Sequence, residues 1–200
     1  MASSPNYRVP FRRRKEGKTN YKLRRSLVLS KLPRLVVRKT LKYILVQLSE
    51  AKIPGDETIV STHSRELTKN YGWQGNHSNV PAAYLTGLLC GYKAKGMGIE
   101  KAVIDIGLQL PSRGARVFAS LKGVLDAGVI IPHNEKVLPH ESRIRGQHIV
   151  EYANGLLLNT EAYQRKFSRY LSRGLPPDKI TEHFYQIKEK IVSSFEEEET

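Results

Sequence analysis

Strand, turn and helix signals follow one another in residues 101–133, and this order constrains the fold more than any other stretch of the chain. Residues 102–106 are apolar and mostly β-branched, which predicts a strand buried on both faces of a sheet. A helix follows, with Ser112 as its predicted N-cap, Gly114 and Ala115 in its opening and Gly128 after its end. Apolar residues recur on one face of this helix at Val117, Phe118, Leu121, Val124 and Leu125.

Two arginines, Arg113 and Arg116, fall in the first turn of this predicted helix. The helix macrodipole is already positive at that end, so further positive charge is unfavourable unless an anion lies nearby. Free backbone N–H groups flanked by two guanidinium groups would form a phosphate site. Solvated arginines, or arginines paired with carboxylates, fit the same pattern, and this stretch alone leaves the two interpretations open.

Positive charge is concentrated in the first quarter of the chain. The formal net charge is +14, and residues 1–49 hold fourteen Lys or Arg against one acid, Glu16. From Glu50 onward nineteen basic residues meet eighteen acidic ones. This asymmetry predicts a polyanion-binding arm joined to a nearly neutral globule.

The predicted arm, residues 1–33, shows no sustained helical or strand period and interleaves cations with aromatic rings. We expect it to be mobile when free, because it has too few large apolar groups to offset about 1–2 kcal/mol of backbone entropy per residue. Phosphate contacts and stacked, unpaired bases, each base contributing about 1–3 kcal/mol, would order it. The candidate RNA-binding residues here are Tyr7, Arg8, Phe11, Arg12, Arg13, Arg14, Lys15, Lys18, Tyr21, Lys22, Arg24 and Arg25.

Two other roles fit a basic arm of this kind. One is a tail that keeps the protein soluble, and the other is an anchor to an acidic membrane. An anchor would carry Leu and Trp on one helical face, which this segment lacks. Nucleic acid is therefore the favoured partner. No run of the chain approaches the roughly 20 apolar residues of a membrane span, so we expect no membrane partner.

Residues 34–133 predict an α/β core. Strands are predicted at 34–40, 43–48 and 57–62, and the turn at 54–56 makes them an antiparallel meander. A loop at 70–79 precedes a helix capped by Asn79 or Ser78, with Pro81 in its first turn. Gly87 and Gly91 would bring this helix close to the sheet, and the strand at 102–106 implies a right-handed crossover. The predicted fold is α/β, a mixed sheet of about four strands with helices packed on it.

Residues 134–200 predict a helical C-terminal extension. After a loop at 132–139, helices are predicted at 143–153, at 160–173 and after Pro177, and the acidic residues 196–199 are expected to be solvated. The last helix carries an apolar stripe of Ile180, Phe184, Ile187, Ile191 and Phe195. The chain thus divides into an arm at 1–33, a core at 34–133 and an extension at 134–200.

Catalytic and metal-binding signals are weak. The six histidines lack paired ligand spacing, and the lone cysteine, Cys90, lies in an apolar helical pattern that predicts a core thiol in a reducing compartment. We therefore expect no metal or cofactor. A ribonuclease-H-like nuclease is a weak alternative, because Asp105 would lie on a central strand. Two-metal hydrolysis needs several converging carboxylates, however, and the first three predicted strands carry no internal acid.

Several motifs together resemble one protein family. They are DIGLQ (105–109), SRGARVFA (112–119), LKG (121–123), DAG (126–128), IPH (131–133), KTNY (18–21), RLVVR (34–38), AAY (82–84), TGLL (86–89), GQH (146–148) and EY (151–152). They are similar to the 5S-rRNA-binding family of the large ribosomal subunit, numbered eighteen in the universal naming and five in eukaryotes. The chain continues well beyond the helix that ends near Gly128, which resembles the archaeal and eukaryotic branch. Its length favours an archaeal member.

The resemblance implies a cytoplasmic structural protein that is not an enzyme. Such a protein clamps 5S rRNA to the large rRNA at the central protuberance, next to universal protein five and an archaeal protein of the L-twenty-one-e type. It also implies RNA contacts by the arm, by Arg113 and Arg116, and by Arg143 and Arg145. Trp73 and His77 would stack on bases or serve the structure. A ribosome assembly factor that binds rRNA transiently is the second interpretation.

Overall fold

The computed structural model of the protein describes residues 5–196. The N-terminal part holds two helices and three strands: α1 Arg12–Lys15, α2 Tyr21–Leu29, β1 Arg34–Lys39, β2 Ile44–Ala51 and β3 Asp56–His63. The middle holds α3 Ser64–Tyr71, α4 Val80–Gly96, β4 Val103–Asp105 and α5 Arg116–Asp126. The C-terminal part holds α6 Glu141–Ile144, α7 Gln147–Gly155, α8 Thr160–Leu171 and α9 Ile180–Glu196, with 3-10 turns at Glu135–Val137 and Pro177–Lys179. Residues 1–4 of the arm and 197–199 of the predicted acidic end lie outside the described residues.

The strands form one mixed sheet in the order β3-β2-β1-β4. Strands β1, β2 and β3 make the predicted antiparallel meander, and β4 pairs in parallel with β1. The predicted α/β fold class is confirmed. The prediction that residues 102–106 are buried on both faces was wrong, because β4 is an edge strand on which Val103 and Ile104 are only partly buried. Asp105 therefore lies at the edge of the sheet and not on a central strand.

The two faces of the sheet differ in chemistry because side chains alternate along each strand. Leu35, Val37, Val46 and Leu48 are fully buried on the face that packs against α4 and α5. The opposite face is mostly polar and carries Gln47, Ser49 and Thr58 beside Val36. The sheet thus has one face in the core and one face free for other contacts.

Helix α4 runs through the centre of the molecule, and Asn79 caps it as predicted by accepting a hydrogen bond from the Ala82 N–H at 2.9 Å. The prediction that its glycines bring it close to the sheet was wrong. A Cβ on Gly87 would overlap the backbone carbonyl of Ser120 in α5, and one on Gly91 would overlap the Ala127 side chain. The small residues therefore allow α4 and α5 to pack closely against each other.

The start of α5 differs from the prediction. Its N-cap is Ala115 and not Ser112, and no side chain caps it. Gly114 adopts the left-handed conformation, with φ of 66°, and turns the chain just before the helix begins. Arg113 thus precedes the helix, whereas Arg116 is its first residue.

Two of the C-terminal helices, α6 and α9, place buried residues in the main core. The single helix predicted at 143–153 was wrong, because Gly146, with φ of 88°, separates α6 from α7. The stripe predicted on the last helix is confirmed, since Ile180, Phe184, Ile187 and Ile191 of α9 are buried in the same apolar cluster as the sheet residues. The boundaries predicted at 33/34 and 133/134 stay predictions.

Within residues 5–196, three helices, α1, α2 and α3, occur where none was predicted. Within the arm, the expectation of no helical structure was wrong, because α2 is capped by Asn20, whose side chain accepts a hydrogen bond from the Leu23 N–H at 3.2 Å. Neither α1 nor α2 buries a residue. Helix α3 was also missed. In residues 5–196 no helix is long and apolar enough to cross a membrane.

Candidate nucleic-acid interface

Helix α2 and the segment before it border the polar face of the sheet and leave a groove of about 860 Å³ between them. The groove is lined by five cations, two carboxylates, one aromatic ring and several uncharged polar side chains. The charged and aromatic residues are Arg13, Lys18, Arg24, Arg34, Arg38, Asp56, Asp105 and Tyr21. Its charge and its polar lining suit a polyanion better than an apolar ligand.

Asp56 joins the arm to the sheet. Its carboxylate accepts two hydrogen bonds from Arg24 of α2, at 2.6 and 2.8 Å. The same carboxylate forms an ion pair with Arg34 of β1 at 2.6 Å. The Arg24 hydrogen bonds are the main cause that lowers the pKa of Asp56 to about 2, and they also raise the pKa of Arg24. Asp56 is therefore ionised throughout the physiological pH range.

Asp105 continues this pattern on the other side of Arg34. Its two carboxylate oxygens lie 3.1 Å from nitrogens of Arg34 and Arg38, and Arg38 also donates to the Asp105 backbone carbonyl at 2.7 Å. The Gly107 N–H donates to the same carboxylate at 2.8 Å. We call Arg24, Asp56, Arg34, Asp105 and Arg38 the arginine–carboxylate network. Arg34 at its centre is only 3% exposed, whereas Arg24 and Arg38 each keep more than a third of the side chain in solvent.

The segment before α2 is folded by short-range contacts. Lys18 pairs with Glu16 at 2.8 Å, Arg12 lies 3.8 Å from the same carboxylate, and Arg13 donates to the Thr19 hydroxyl at 2.8 Å. The rings of Phe11 and Tyr21 lie 5.0 Å apart. Such exposed contacts contribute roughly 0–1 kcal/mol each, so they bias the conformation of the arm without fixing it.

Other cations of the arm are exposed. Within residues 5–196, six of them make no side-chain hydrogen bond or ion pair, and these are Arg8, Arg14, Lys15, Lys22, Arg25 and Lys31. Tyr7 is 50% exposed and Phe11 is 70% exposed. The arm therefore presents unpaired positive charge and accessible rings beside the groove.

The four candidate arginines outside the arm differ in their exposure and in their contacts. Arg113 and Arg143 are exposed, but Arg116 turns back into the protein and donates to the Ser78 backbone carbonyl at 2.7 Å. Arg145 pairs with Glu141 and lies over the Tyr185 ring, 5.6 Å from its centre. Arg113 and Arg116 thus do not converge on one phosphate site, and the helix-start arrangement predicted from the sequence is not formed.

Trp73 and His77 serve the structure. Trp73 is fully buried and stacks on His183, with 5.2 Å between the ring centres. His77 bonds the Thr68 hydroxyl at 2.7 Å and contacts the Tyr43 ring, and burial lowers its pKa. A base could not stack on Trp73 unless the core opened, so of the two roles left open for Trp73 the buried ring fits the structural one.

Arg34, Arg38, Asp56 and Asp105 were not among the candidates predicted from the sequence, although they line the groove. One signal was available: Arg34 and Arg38 are four residues apart on a predicted strand and so lie on the same face. Their carboxylate partners lie on other strands, and Arg34 and Asp105 are 71 positions apart.

The structure shows the surroundings of the side chains that were considered for metal binding and catalysis. In residues 5–196 no group of three or more His, Cys, Asp or Glu side chains converges as a metal site. Both carboxylate oxygens of Asp105 are occupied by guanidinium groups, which is unfavourable for a metal ligand. Cys90 is buried, and burial raises its pKa to about 11, so its thiol stays neutral.

The comparison with known families agrees with this picture. A family model described as ribosomal large subunit proteins 60S L5 and 50S L18 matches residues 5–98 and 93–134. The match includes the arm, all four strands and α5, which means that it contains the groove and the whole arginine–carboxylate network. Because these residues make up well over half of the chain, the protein belongs to the 60S L5 and 50S L18 family and is a structural constituent of the large ribosomal subunit.

Proposed function

We propose that the protein binds 5S rRNA through its basic arm and the adjoining groove, and that it helps attach this RNA to the large rRNA at the central protuberance. The observation that carries the proposal is the set of unpaired arm cations beside a cationic groove, in the part of the chain that matches the family. The protein acts by binding and positioning RNA, without catalysis and without a cofactor.

The arm supplies two kinds of RNA contact. Arg8, Arg14, Lys15, Lys22 and Arg25 are free to neutralise phosphates, because none of them is paired within the described part of the chain. The exposed rings of Tyr7 and Phe11 are free to stack on unpaired bases. The cations and rings therefore suit an RNA segment that is partly single-stranded.

The groove supplies a preorganised surface. Arg34 is held between two carboxylates, and Asp105 fixes Arg38 through both its side chain and its backbone. A fixed guanidinium loses less conformational freedom when it binds a phosphate, because its orientation is already set. Arg38 and Arg24 thus present the remaining N–H groups of the network toward an incoming backbone.

Four further candidate arginines lie outside the arm and the groove. Arg113 and Arg143 are exposed and available for RNA, and Arg116 and Arg145 would have to give up their protein partners to reach it. Large-subunit rRNA, universal protein five and a protein of the archaeal L-twenty-one-e type are the neighbours that we propose. The proposed location is the cytoplasmic large subunit of an archaeal-type ribosome.

The test compares two full-length variants that lose the same amount of charge. R14Q/K15Q/K22Q/R25Q removes four unpaired arm cations, and K42Q/K69Q/K136Q/K190Q removes four exposed lysines outside the arm. Affinity for 5S rRNA is measured against salt concentration. Each lost phosphate contact lowers the slope of log affinity against log salt by about 0.7–0.9, so the arm variant should lose a slope of about 3.

The control variant separates a located contact from a general effect of charge. It should keep nearly the wild-type affinity and slope, because its lysines lie apart on the protein. If both variants lose the same affinity and slope, the arm is not the RNA-binding surface. If the wild-type protein binds 5S rRNA no better than an unrelated RNA of the same length, the proposed partner is wrong.

A further inference from the structure

Helix α8 carries a second group of cations, outside the residues that match the family. Arg165, Lys166 and Arg169 are exposed, and within the described residues none of their side chains makes a hydrogen bond or ion pair. They stand at positions i, i+1 and i+4, which places them on one side of a helix with 3.6 residues per turn. The three charges therefore form a continuous strip.

The opposite side of α8 holds the helix to the protein. Phe167 is buried, and its ring lies 5.4 Å from that of Tyr163 and 6.0 Å from that of Tyr170. The Tyr170 hydroxyl also accepts a hydrogen bond from the Asn79 side chain at 3.2 Å. Because Phe167 packs inward, the strip on the other side faces solvent.

Helix stability alone does not explain the strip. Cations in the last turn favour the negative end of the helix macrodipole, and this accounts for Arg169. Arg165 and Lys166 lie in the middle of the helix, where that effect has faded. Adjacent unpaired cations repel one another, so an anionic partner would stabilise them.

The strip lies far from the place where the arm is held. Tyr170 is anchored beside Ser78, whose hydroxyl donates to the Thr40 carbonyl just after β1. The arm is held by Asp56, which contacts Arg34 at the start of β1. A six-residue strand spans about 17 Å at about 3.3 Å per residue, so the two attachment points are separated by the length of β1.

The chemistry of the strip differs from that of the arm. In the arm, exposed rings alternate with cations, which suits unpaired bases. On α8 the rings of Tyr163 and Tyr170 contact Phe167, whereas the outward cations stand among the polar side chains of Glu161, Gln164 and Ser168. The strip can therefore contact phosphates but offers no ring for a base. In double-helical RNA the faces of the bases are stacked on one another, and the backbone is the main accessible surface.

We propose that Arg165, Lys166 and Arg169 form a second RNA-binding surface, which takes the phosphate backbone of a double-helical segment other than the RNA held by the arm. This inference rests on the proposed function, because it gives the protein one RNA surface at each end of β1. A protein with two such surfaces can hold two RNA segments at a fixed distance from each other.

The test uses the purified one-to-one complex of the full-length protein with 5S rRNA. A labelled, blunt-ended RNA duplex of unrelated sequence is titrated into this complex, and the same titration is made with poly-glutamate. R165Q/K166Q/R169Q is compared with K69Q/K136Q/K190Q, which removes three exposed lysines from three other elements. Circular dichroism checks that both variants fold.

The α8 variant should lose duplex binding at least tenfold relative to the control, with a salt slope lower by about 2–3. Its affinity for 5S rRNA should stay within about twofold of the control. Equal duplex binding by the two variants would overturn the inference. A parallel loss of 5S rRNA affinity would also overturn it, because the strip would then belong to the surface of the arm.

Two further results are informative. If only poly-glutamate binding is lost, the strip takes an acidic protein and the inference is wrong. If the wild-type protein fails to bind 5S rRNA, the proposed function fails separately, and titration of the duplex into the free protein still tests α8.

Discussion

Helix α2 of the arm and helix α9 near the other end of the chain are attached to the rest of the protein by different kinds of contact. Helix α2 of the arm buries no residue and is held to the sheet by the pairing of Arg24 with Asp56. Helix α9 buries Ile180, Phe184 and Ile187 together with Ile191 in the main core. Charge screening by added salt does not weaken apolar burial, whereas it does weaken an exposed ion pair.

This difference suits two different tasks. A helix held by burial is a permanent part of the protein, because releasing it exposes apolar surface. A helix held by a guanidinium–carboxylate pair can exchange that carboxylate for a phosphate, since both anions accept the same N–H groups. The arm is thus folded against the sheet through a partly exposed ion pair, and its mobility in the free protein stays a prediction.

The largest expected effect is on the buried end. Phe184→Ala on α9 removes a ring that is 2% exposed, so we expect a loss of about 3–5 kcal/mol in the free energy of unfolding. Urea denaturation measures it. The matched change on the arm, Val28→Ala, should cost no more than about 0.5 kcal/mol, because Val28 is 36% exposed. Similar losses in both variants would contradict the comparison.

The second effect concerns the centre of the arginine–carboxylate network. Asp105→Asn leaves Arg34 buried with one carboxylate instead of two, and breaking a buried pair of this kind costs about 3 kcal/mol or more. Denaturant unfolding of this variant is compared with Glu57→Gln, which breaks the exposed pair with Lys52 and should cost less than about 1 kcal/mol. If Asp105→Asn lowers the free energy of unfolding by less than Glu57→Gln does, the network does not stabilise the folded protein.

Local patterns were sufficient to predict much of the fold. The meander followed from three β-rich runs and the turn at 54–56, and the stripe from Ile180 to Ile191 fixed the buried face of α9. Backbone geometry at single glycines was not predictable in the same way. Gly114 and Gly146 both adopt left-handed conformations. As a result, α5 begins later than predicted, and α6 and α7 are two helices where one was predicted. The sequence alone does not show which glycines adopt this conformation.

The candidate site was predicted only in part. The excess of cations in the arm is visible by counting, because unpaired surface charge needs no tertiary partner. The network was not predictable, because Arg24 and Asp56 are 32 positions apart and Arg34 and Asp105 are 71 apart. Arg116 shows the converse error: its position suggested an anion site, but its partner is Ser78, brought close by the packing of α4 on α5.

The third effect is the dependence of folding stability on pH through the ionisation of Asp56. The folded pKa of Asp56 is about 2, below its ordinary value of 3.8, so ionised Asp56 stabilises the folded state. This stabilisation is complete above about pH 4 and is lost as the pH falls toward 2. We expect it to be about 1–2 kcal/mol, because the carboxylate is partly exposed and solvent screens the pair.

Urea unfolding of the wild type and of Asp56→Asn between pH 6 and pH 2.5 measures this effect. The difference in unfolding free energy between the two proteins should narrow as the pH falls through this window. A constant difference would mean that the charge of Asp56 does not hold the arm.

The smallest effect on stability is expected at the contact that joins the arm to the sheet. Arg24→Gln should cost less than about 1 kcal/mol, because the pair is partly exposed. It should nevertheless release α2, so chymotrypsin should cleave at Tyr21 several-fold faster than in the wild type. Arg25→Gln is the matched control, since Arg25 is adjacent and its side chain has no partner in the described part of the chain. Added salt should bring the wild type toward the rate of Arg24→Gln, because screening weakens the same pair. Equal cleavage of the two variants at low salt would mean that Arg24 does not hold the arm, and the contrast between the two ends of the chain would then need another cause.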